Sequence, residues 1–474
     1  MSYLMKTPKA AALLLLSSFV FALPVMAEQK QDASSFQMPA YEQLKLGNGL
    51  TVFLLPQHEV PLITVQATVR AGAVNDSQAG LSQLTSQALL LGAGGKSKAE
   101  IEQLVDFLGA SLSSQSSVEG SSLQANFMAK DAQQMLAMLH SVLTQPSFEQ
   151  AEFDKLKARQ IAAVAQAKES PRMVMDQYFN KLVFGAHPYG NASSGTAESL
   201  KGISQQQVKN FHQSYYQPAN TSISVVGDFK PDVMKAQLQK LFSDWKNGET
   251  VKQPDLTASL PKTDKAKVLL VNKSDAIETT FSIGGVGIQQ DNPDYVGILV
   301  VNTVLGGRFT SWLNDELRVN SGLTYGAGSG FDRYSASGTF SISSFTKTES
   351  TKEAIDLALK TYQRLWGKGI DQATLDSAKA YVKGQFPPRF ETNTALAGLL
   401  GDMYLYGFNQ DFINSFQSKV DQLTVAESKR LINSYFPKDQ LQFVLIGKAE
   451  AIKDIAKSYG EVKQVDIQAV GFGD

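Results

Sequence analysis

Three polar residues, Gln83, Ser86 and Gln87, lie in the stretch GLSQLTSQALL at a spacing that could serve metal chemistry. On a helix, Gln83 and Gln87 would project to the same side, about one turn apart. Two histidines placed this way could share a zinc ion, with a carboxylate at position 86 as general base. An amide oxygen is a poor zinc ligand, however, and a serine needs its own activator. The stretch predicts a structural helix with the geometry of a metal site but without its ligands.

The rest of the chain offers no local substitute for such a site. The sequence has no cysteine, which excludes disulfides, thiolate nucleophiles and Cys-ligated zinc. No two of its four histidines, His58, His140, His187 and His212, lie within five residues of each other. His187 precedes Pro188, so we expect a loop histidine bonded to a nearby carbonyl. We therefore expect no metal in this chain.

The elements that must position this stretch recur along the chain. The segment LTVFLLPQHEVPLITVQATVRAG predicts two strands around a turn, followed by a helix near Leu81, and KVLLVNKSDAIETTFSIGGVG predicts the same before Tyr295. SYYQPANTSISVVGDFK and SYFPKDQLQFVLIGKAE match at an offset of 220 residues, which aligns Gly227 with Gly447. A repeat of this length indicates two similar domains. The fold class predicted is α+β, with two duplicated domains, each a mostly antiparallel sheet packed against helices.

The predicted boundaries follow from composition. Residues 1–27 combine lysines, an apolar run and small residues before a cleavage site after Ala27, which predicts a cleaved signal peptide and a periplasmic location. An uncleaved anchor is the alternative, although the apolar run is short for a bilayer. Residues 28–40 are predicted as a flexible arm, 41–248 as the first domain, 249–263 as a linker and 264–474 as the second domain. Net charge is −1, which gives no indication of a nucleic-acid or membrane partner.

At this point a family resemblance emerges. AGAVNDSQAGLSQLTSQALLLGAGGKS resembles the metal-binding helix of the insulinase-like (pitrilysin) zinc metallopeptidases, which carry the motif H-x-x-E-H there. FGAHPYG, YYQPANTSISVVGD and LRVNSGLTYG resemble further family segments, in the same order. The motif positions map to Gln83, Ser86 and Gln87, and the distal glutamate ligand maps to Ala162 or Ala163. The resemblance implies a fold that forms half of a clamshell.

The resemblance also implies roles for Arg318 and Tyr325. In the family, an Arg and a Tyr at this spacing bind the substrate backbone and help stabilise the oxyanion, for which both are suitable donors. From the residues alone, Arg318 could instead pair with Asp315, and Tyr325 could be a core residue of a strand. In bacterial two-chain members, one chain carries the zinc motif and the other supplies this Arg and Tyr.

The expected function is therefore that of a non-catalytic, substrate-binding subunit of a periplasmic heterodimeric zinc peptidase. Zinc is expected in the partner chain, which would bear H-x-x-E-H, and the ligand would be a peptide or an unfolded protein. An exposed sheet edge could bind this ligand through main-chain pairing. The alternative is a proteolytically inactive scaffold or assembly protein on the same fold. A self-sufficient hydrolase is disfavoured because no nucleophile elbow or thiol is present.

Overall fold

The computed structural model describes residues 36–258, 260–261 and 263–473, and the predicted signal peptide lies outside these residues. From Phe36 onward the chain forms one compact unit. Of the predicted flexible arm, residues 36–40 are described, and they contact the second half: the backbone N–H groups of Phe36 and Met38 donate to the side chains of Gln417 and Asn414. Within the described residues, no helix is both long and apolar enough to cross a membrane.

Two sheets organise the structure. The first half provides β1 (Glu42–Lys45), β2 (Thr51–Pro56), β3 (Leu62–Val69), β4 (Gly92–Ala93), β5 (Lys96–Ser97), β6 (Ser111–Ser116), β7 (Ser121–Met128) and β8 (Thr221–Gly227). The second half provides β9 (Lys267–Asn272), β10 (Glu278–Val286), β11 (Ala327–Arg333), β12 (Gly338–Lys347), β13 (Gln442–Gly447) and β14 (Glu461–Asp466). The sheet orders are β1-β2-β8-β3-β7-β6 and β11-β12-β10-β13-β9-β14, and β4 and β5 form a small ribbon.

The duplication predicted from the sequence is confirmed in the strand pairing. The five strands β2-β8-β3-β7-β6 match β9-β13-β10-β12-β11 in order and direction, with one parallel pair in each set. The remaining pairs of both sets are antiparallel. The sixth strand differs, because β1 runs antiparallel to β2 whereas β14 runs parallel to β9. Both sheets are therefore mostly antiparallel, as expected.

Helices pack against both sheets. Those of the first half are α1 (Leu81–Ala88), α2 (Lys98–Phe107), α3 (Ala132–Thr144), α4 (Gln150–Ala167), α5 (Pro171–Phe184), α6 (Ala197–Gly202), α7 (Gln205–Tyr215) and α8 (Pro231–Phe242). Those of the second half are α9 (Tyr295–Leu305), α10 (Trp312–Asn314), α11 (Thr351–Gln363), α12 (Gln372–Gly384), α13 (Asn393–Tyr406), α14 (Gln410–Asn414), α15 (Phe416–Gln422), α16 (Val425–Tyr435) and α17 (Ala449–Lys457).

Helices α5 and α13 are exchanged between the halves. Helix α13 lies on β3 and β8 of the first sheet, and α5 lies on β10 and β13 of the second. On α5, Val174 and Tyr178 pack against Leu269 and Val444 in one buried cluster. Because side chains alternate along a strand, each sheet packs one face on helices of its own half and the other on the exchanged helix. The predicted domain boundaries at 248 and 264 do not describe this exchange.

A polar contact also joins the two halves. The buried Glu119 carboxylate, in the β6–β7 turn, accepts a hydrogen bond from the Tyr189 hydroxyl at 2.7 Å. It also accepts from the backbone N–H of Ser335, in the β11–β12 turn, at 2.9 Å. Burial raises the pKa of Glu119, although these hydrogen bonds act in the opposite direction. The two hairpin turns therefore meet at one satisfied carboxylate.

Because each sheet shares its packing with the other half, we expect one cooperative unfolding transition. A Cβ at Gly401 of α13 would lie 2.5 Å from Thr68 Oγ1 of β3, so Gly401→Val should force the helix away from the first sheet. The expected loss is about 1–3 kcal/mol of unfolding free energy. Far-UV circular dichroism and tryptophan fluorescence should show the same lowered midpoint. Gly384→Ala, where a Cβ would meet no atom within 4 Å, is the matched control. Two separate transitions would contradict this shared packing.

Candidate functional site

Helix α1 is positioned by a carboxylate that the sequence analysis did not single out. Asp76 accepts hydrogen bonds from the backbone N–H of Gly80 at 2.9 Å and of Ser82 at 2.7 Å. These are N–H groups that a helix start leaves without an internal partner. Gly80 has φ of 91° and lies close to Gly195, so a side chain there would be strained and crowded. The first turn of α1 is thus fixed from outside the helix. An acidic residue shortly before a predicted helix is the signal that could have indicated this role.

The three motif positions face strand β6, and Leu81, Leu84 and Ala88, which recur at helical spacing in the sequence, form the buried stripe of α1. The backbone N–H of Ser116 donates to Gln83 Oε1 at 3.1 Å, so Gln83 is a partner of the strand as well as a polar surface residue. Ser86 is fully buried, with its Oγ 2.6 Å from Ser114 Oγ. Gln87 Oε1 is buried and has no hydrogen-bond partner among the described residues. Ser86 is therefore inaccessible to a substrate.

A pocket of about 800 Å³ opens beside Gln87. Its walls come from α1, α2, β6 and α4 and include Leu90, Ile101, Leu112 and Arg159. Ala163 lines this pocket, and Ala162 is not part of its wall. The structure thus brings the end of the α1 motif and one of the two mapped distal positions to the same cleft, whose lining mixes apolar and polar side chains.

The residues of this cleft do not fit a zinc ion. Across the described residues, no group of three or more His, Cys, Asp or Glu side chains could hold a metal. Amide and hydroxyl groups at positions 83, 86 and 87, with a methyl group at 163, provide neither metal ligands nor a general base. The chemistry available at α1 is limited to hydrogen bonding and apolar contact.

His187 has the structural role expected from its loop. Its Nε2 lies 3.0 Å from the carbonyl oxygen of Leu256, in the predicted linker, and its Nδ1 accepts from the backbone N–H of Tyr189 at 3.1 Å. Since Nδ1 is an acceptor, the proton is on Nε2, which donates to Leu256. Both ring nitrogens are used within the fold, so this histidine has no free nitrogen for catalysis.

Arg318 and Tyr325 lie on the second half, in an exposed region. Arg318 belongs to a π-helical turn, Asp315–Asn320, that follows α10. Its guanidinium lies 4.8 Å from the ring centroid of Phe309, and it forms no ion pair or hydrogen bond with any described residue, Asp315 included. Tyr325 is 81% exposed and precedes β11, so the alternative of a core tyrosine in a strand is wrong. Both side chains are available to a ligand.

Sequence reasoning missed Phe309 and the π-helical turn. Phe309 is nine residues from Arg318, and a cation–π contact over that distance depends on how the loop folds back. π-helical turns are rare and are frequently found at functional sites. No periodicity in FTSWLNDELRV distinguishes such a turn from an ordinary helix, so this feature had no sequence signal.

Comparison with known proteins places these features in a family. Residues 52–197 match the model of the insulinase family, peptidase family M16, and residues 202–382 match the model of the M16 inactive domain. A non-peptidase homolog, YmxG, of Helicobacter pylori is 24% identical over 84% of this chain and 91% of its own length. The zinc protease PqqE of the same organism is 24% identical over 86% of this chain and 93% of its own.

Two solved structures share the fold. A peptidase M16 inactive domain from Pseudomonas fluorescens superposes with a TM-score of 0.79 at 26% identity, and covers 86% of this chain and 98% of its own. A protease from Helicobacter pylori gives a TM-score of 0.79 at 22% identity, and covers 86% of this chain and 100% of its own. The fold predicted from the resemblance is therefore confirmed.

The amide side chains of α1 should not bind zinc. We expect the thermal midpoint of the purified chain to be unchanged by zinc or by a chelator. The double variant Gln83→His, Gln87→His is the control, because two histidines four apart on a helix can share one ion. Zinc at a hundredfold excess over its dissociation constant should stabilise that variant by about 2.7 kcal/mol. Stabilisation of the unmodified chain by zinc would contradict the reading of α1 as metal-free.

Asp76 should make stability fall as pH rises. Burial raises the pKa of its carboxyl to about 7 from an ordinary value of 3.8, so the folded state holds this proton more tightly than the unfolded state. The contribution of Asp76 to the free energy of unfolding is greatest below pH 3.8 and is lost as pH rises to about 7. Urea unfolding of the unmodified chain from pH 4 to 8 should therefore show a larger fall in unfolding free energy than urea unfolding of Asp76→Asn.

A second carboxylate provides a control of opposite sign. The Thr374 backbone N–H holds the pKa of the exposed Asp371 carboxyl below its ordinary value, so the contribution of Asp371 is lost as pH falls. Asp371→Asn should remove the loss of unfolding free energy that Asp371 causes at acid pH. Parallel pH curves for Asp76→Asn and the unmodified chain would contradict the role assigned to Asp76.

Proposed function

The chain belongs to the insulinase-like M16 peptidase family and lacks its zinc motif, and from this premise we propose that it is the non-catalytic, peptide-binding subunit of a two-chain zinc peptidase. The partner would be a homologous chain that carries H-x-x-E-H and the zinc ion. This chain would contribute Arg318, Tyr325 and a binding surface for the peptide. Export to the periplasm, proposed from residues 1–27, would place the complex outside the cytoplasm.

The observation that carries this proposal is the free state of Arg318. Its guanidinium lies against an aromatic ring and forms no hydrogen bond or ion pair with a described residue, so its five N–H donors remain available. The exposed Tyr325 hydroxyl is a neutral donor a short distance along the chain. A charged and a neutral donor without hydrogen-bond partners among the described residues suit a carbonyl oxygen that gains negative charge.

Strand β6 supports peptide binding in the first half. It is an edge strand that pairs only with β7 among the described residues. At its end the Ser116 N–H is occupied by Gln83, and the outer side of the backbone before Ser116 is available for another strand. Its six residues, SLSSQS, carry no charge, whereas the edge strands β1 and β14 contain Glu and Lys. Charged residues on an edge strand discourage pairing with another chain. The pocket beside Gln87 adjoins β6 and could receive a side chain of a peptide paired there.

The division of labour follows from the residues present. Zinc in the partner would activate the attacking water and polarise the scissile carbonyl. The Arg318 guanidinium and the Tyr325 hydroxyl would hold the substrate backbone and donate to the carbonyl oxygen as its charge develops. Strand β6 would keep the peptide extended. No proton transfer is assigned to this chain, because α1 contains no general base.

The first test is the partner. Gentle affinity purification of the tagged mature chain from its native source, followed by mass spectrometry, should yield a stoichiometric homologue that bears H-x-x-E-H. A lone chain or a self-pair would contradict the two-chain proposal. It would favour the alternative of an inactive scaffold or assembly protein built on this fold.

The second test is activity of the reconstituted complex. Loss of one oxyanion donor typically lowers kcat by about 10²–10³, and we expect Arg318→Ala and Tyr325→Phe to cause losses of this order. Arg430→Ala is the matched control, since Arg430 is a surface arginine paired with Asp294 and Glu427. Unchanged peptide hydrolysis in both site variants would exclude these residues from the reaction.

A further inference from the structure

Three exposed apolar side chains lie in the segments that flank Arg318 on the second half, and one of them, Phe309, contacts its guanidinium. Phe309 is 63% exposed, Val319 is 62% exposed and Tyr325 is 81% exposed. We name these three residues and Arg318 together the Phe309 platform. Single exposed apolar residues are ordinary, but several in the segments that flank one cation without an ion pair among the described residues indicate a binding surface.

Hydrogen bonds fix the backbone beneath this platform. The buried Asn314 side chain donates to the carbonyl oxygen of Phe309 at 2.7 Å and accepts from the backbone N–H of Ala327 at 3.4 Å. One amide thus joins the loop that carries Phe309 to the start of β11, two residues after Tyr325. The N–H of Leu323 donates to the carbonyl oxygen of Leu317 at 2.9 Å, which closes the π-helical turn around Arg318.

The contact between Phe309 and Arg318 orients a long side chain in water. An exposed arginine without an ion pair samples many rotamers, and fixing one before binding reduces the entropy lost on binding. An aromatic face attracts a guanidinium through its quadrupole while leaving the N–H edge free to donate. A carboxylate neighbour would orient the guanidinium as well, but it would occupy the same N–H groups.

From this geometry we infer that Phe309 is a positioning residue for Arg318, and that the Phe309 platform selects peptides with an aromatic or large aliphatic side chain beside the carbonyl that Arg318 binds. This inference rests on the proposed peptide-binding function and names the substrate class. The Arg318 guanidinium suits the carbonyl oxygen of a peptide. The three apolar side chains of the platform suit an apolar side chain next to that carbonyl rather than a charged one.

The binding test uses fluorescent twelve-residue Gly/Ser peptides with one central Phe, Leu or Ala, titrated into the full mature chain. We expect the Phe and Leu peptides to bind more tightly than the Ala peptide. Phe309→Ala should weaken binding of the Phe peptide about fivefold, which corresponds to the upper range of energies for an exposed cation–π contact. Phe309→Tyr should keep wild-type affinity for the Phe peptide, and Phe309→Leu should have an affinity between those of the wild type and Phe309→Ala. In a double-mutant cycle with Arg318→Ala, the two losses should be non-additive.

A second measurement does not depend on peptide binding. Phenylglyoxal modifies arginine side chains, and its rate at Arg318 can be followed by mass spectrometry of a tryptic digest. Phe309→Ala should raise this rate, Phe309→Tyr should restore it, and the rate at Arg430 should stay constant in all variants.

The two measurements distinguish the possible failures. If no peptide binds but the Arg318 rate depends on Phe309, the positioning role stands, and the proposed function and the selectivity are both wrong. If peptides bind with additive losses and an unchanged Arg318 rate, the positioning role is overturned and the proposed function stands. Equal affinity for the Phe and Ala peptides would overturn the selectivity.

Discussion

Helix α13 covers the first sheet and helix α5 covers the second, so each sheet obtains one of its two packed faces from the other half of the chain. Burial of apolar side chains is the main force that holds such layers together. A sheet face left bare would expose residues such as Leu269 and Val444 to water. The exchange therefore makes both halves one mechanical body, in which the turn at Glu119, helix α1 and the π-helical turn keep fixed positions.

On this body, the two halves have different chemical character. Helix α1 is tied to β6 through Gln83 and Ser86, whose polar side chains are occupied within the first half. The second half instead presents Arg318 and Tyr325 outward without internal partners among the described residues. The first half presents the cleft beside Gln87 and the edge strand β6, and the second half carries the two donors without internal partners among the described residues. This division is consistent with the proposal that the chain completes the site of another protein.

Much of this could be predicted from the sequence because it depends on local patterns. The paired strands before Leu81 and Tyr295, the buried stripe of α1 and the duplication follow from periodicity and from Gly227 and Gly447. The helix exchange could not be predicted, because an amphipathic pattern shows that a helix has a buried face but not which sheet covers it. Tyr325 alternated like a core residue yet lies at the surface, and the contact of Phe309 with Arg318 depends on tertiary folding.

The helix exchange also has a consequence for symmetry. One half on its own would have an uncovered sheet face and a helix without a sheet to cover. Two identical halves could satisfy both needs about a twofold axis, as in an isologous homodimer. In such a dimer, every substitution appears twice. Joining the halves through residues 249–263 removes that constraint. The first half can therefore hold an amide, Gln87, at its motif position while the second half keeps Arg318, because a substitution in one half is not repeated in the other. The shared core is unaffected by either residue.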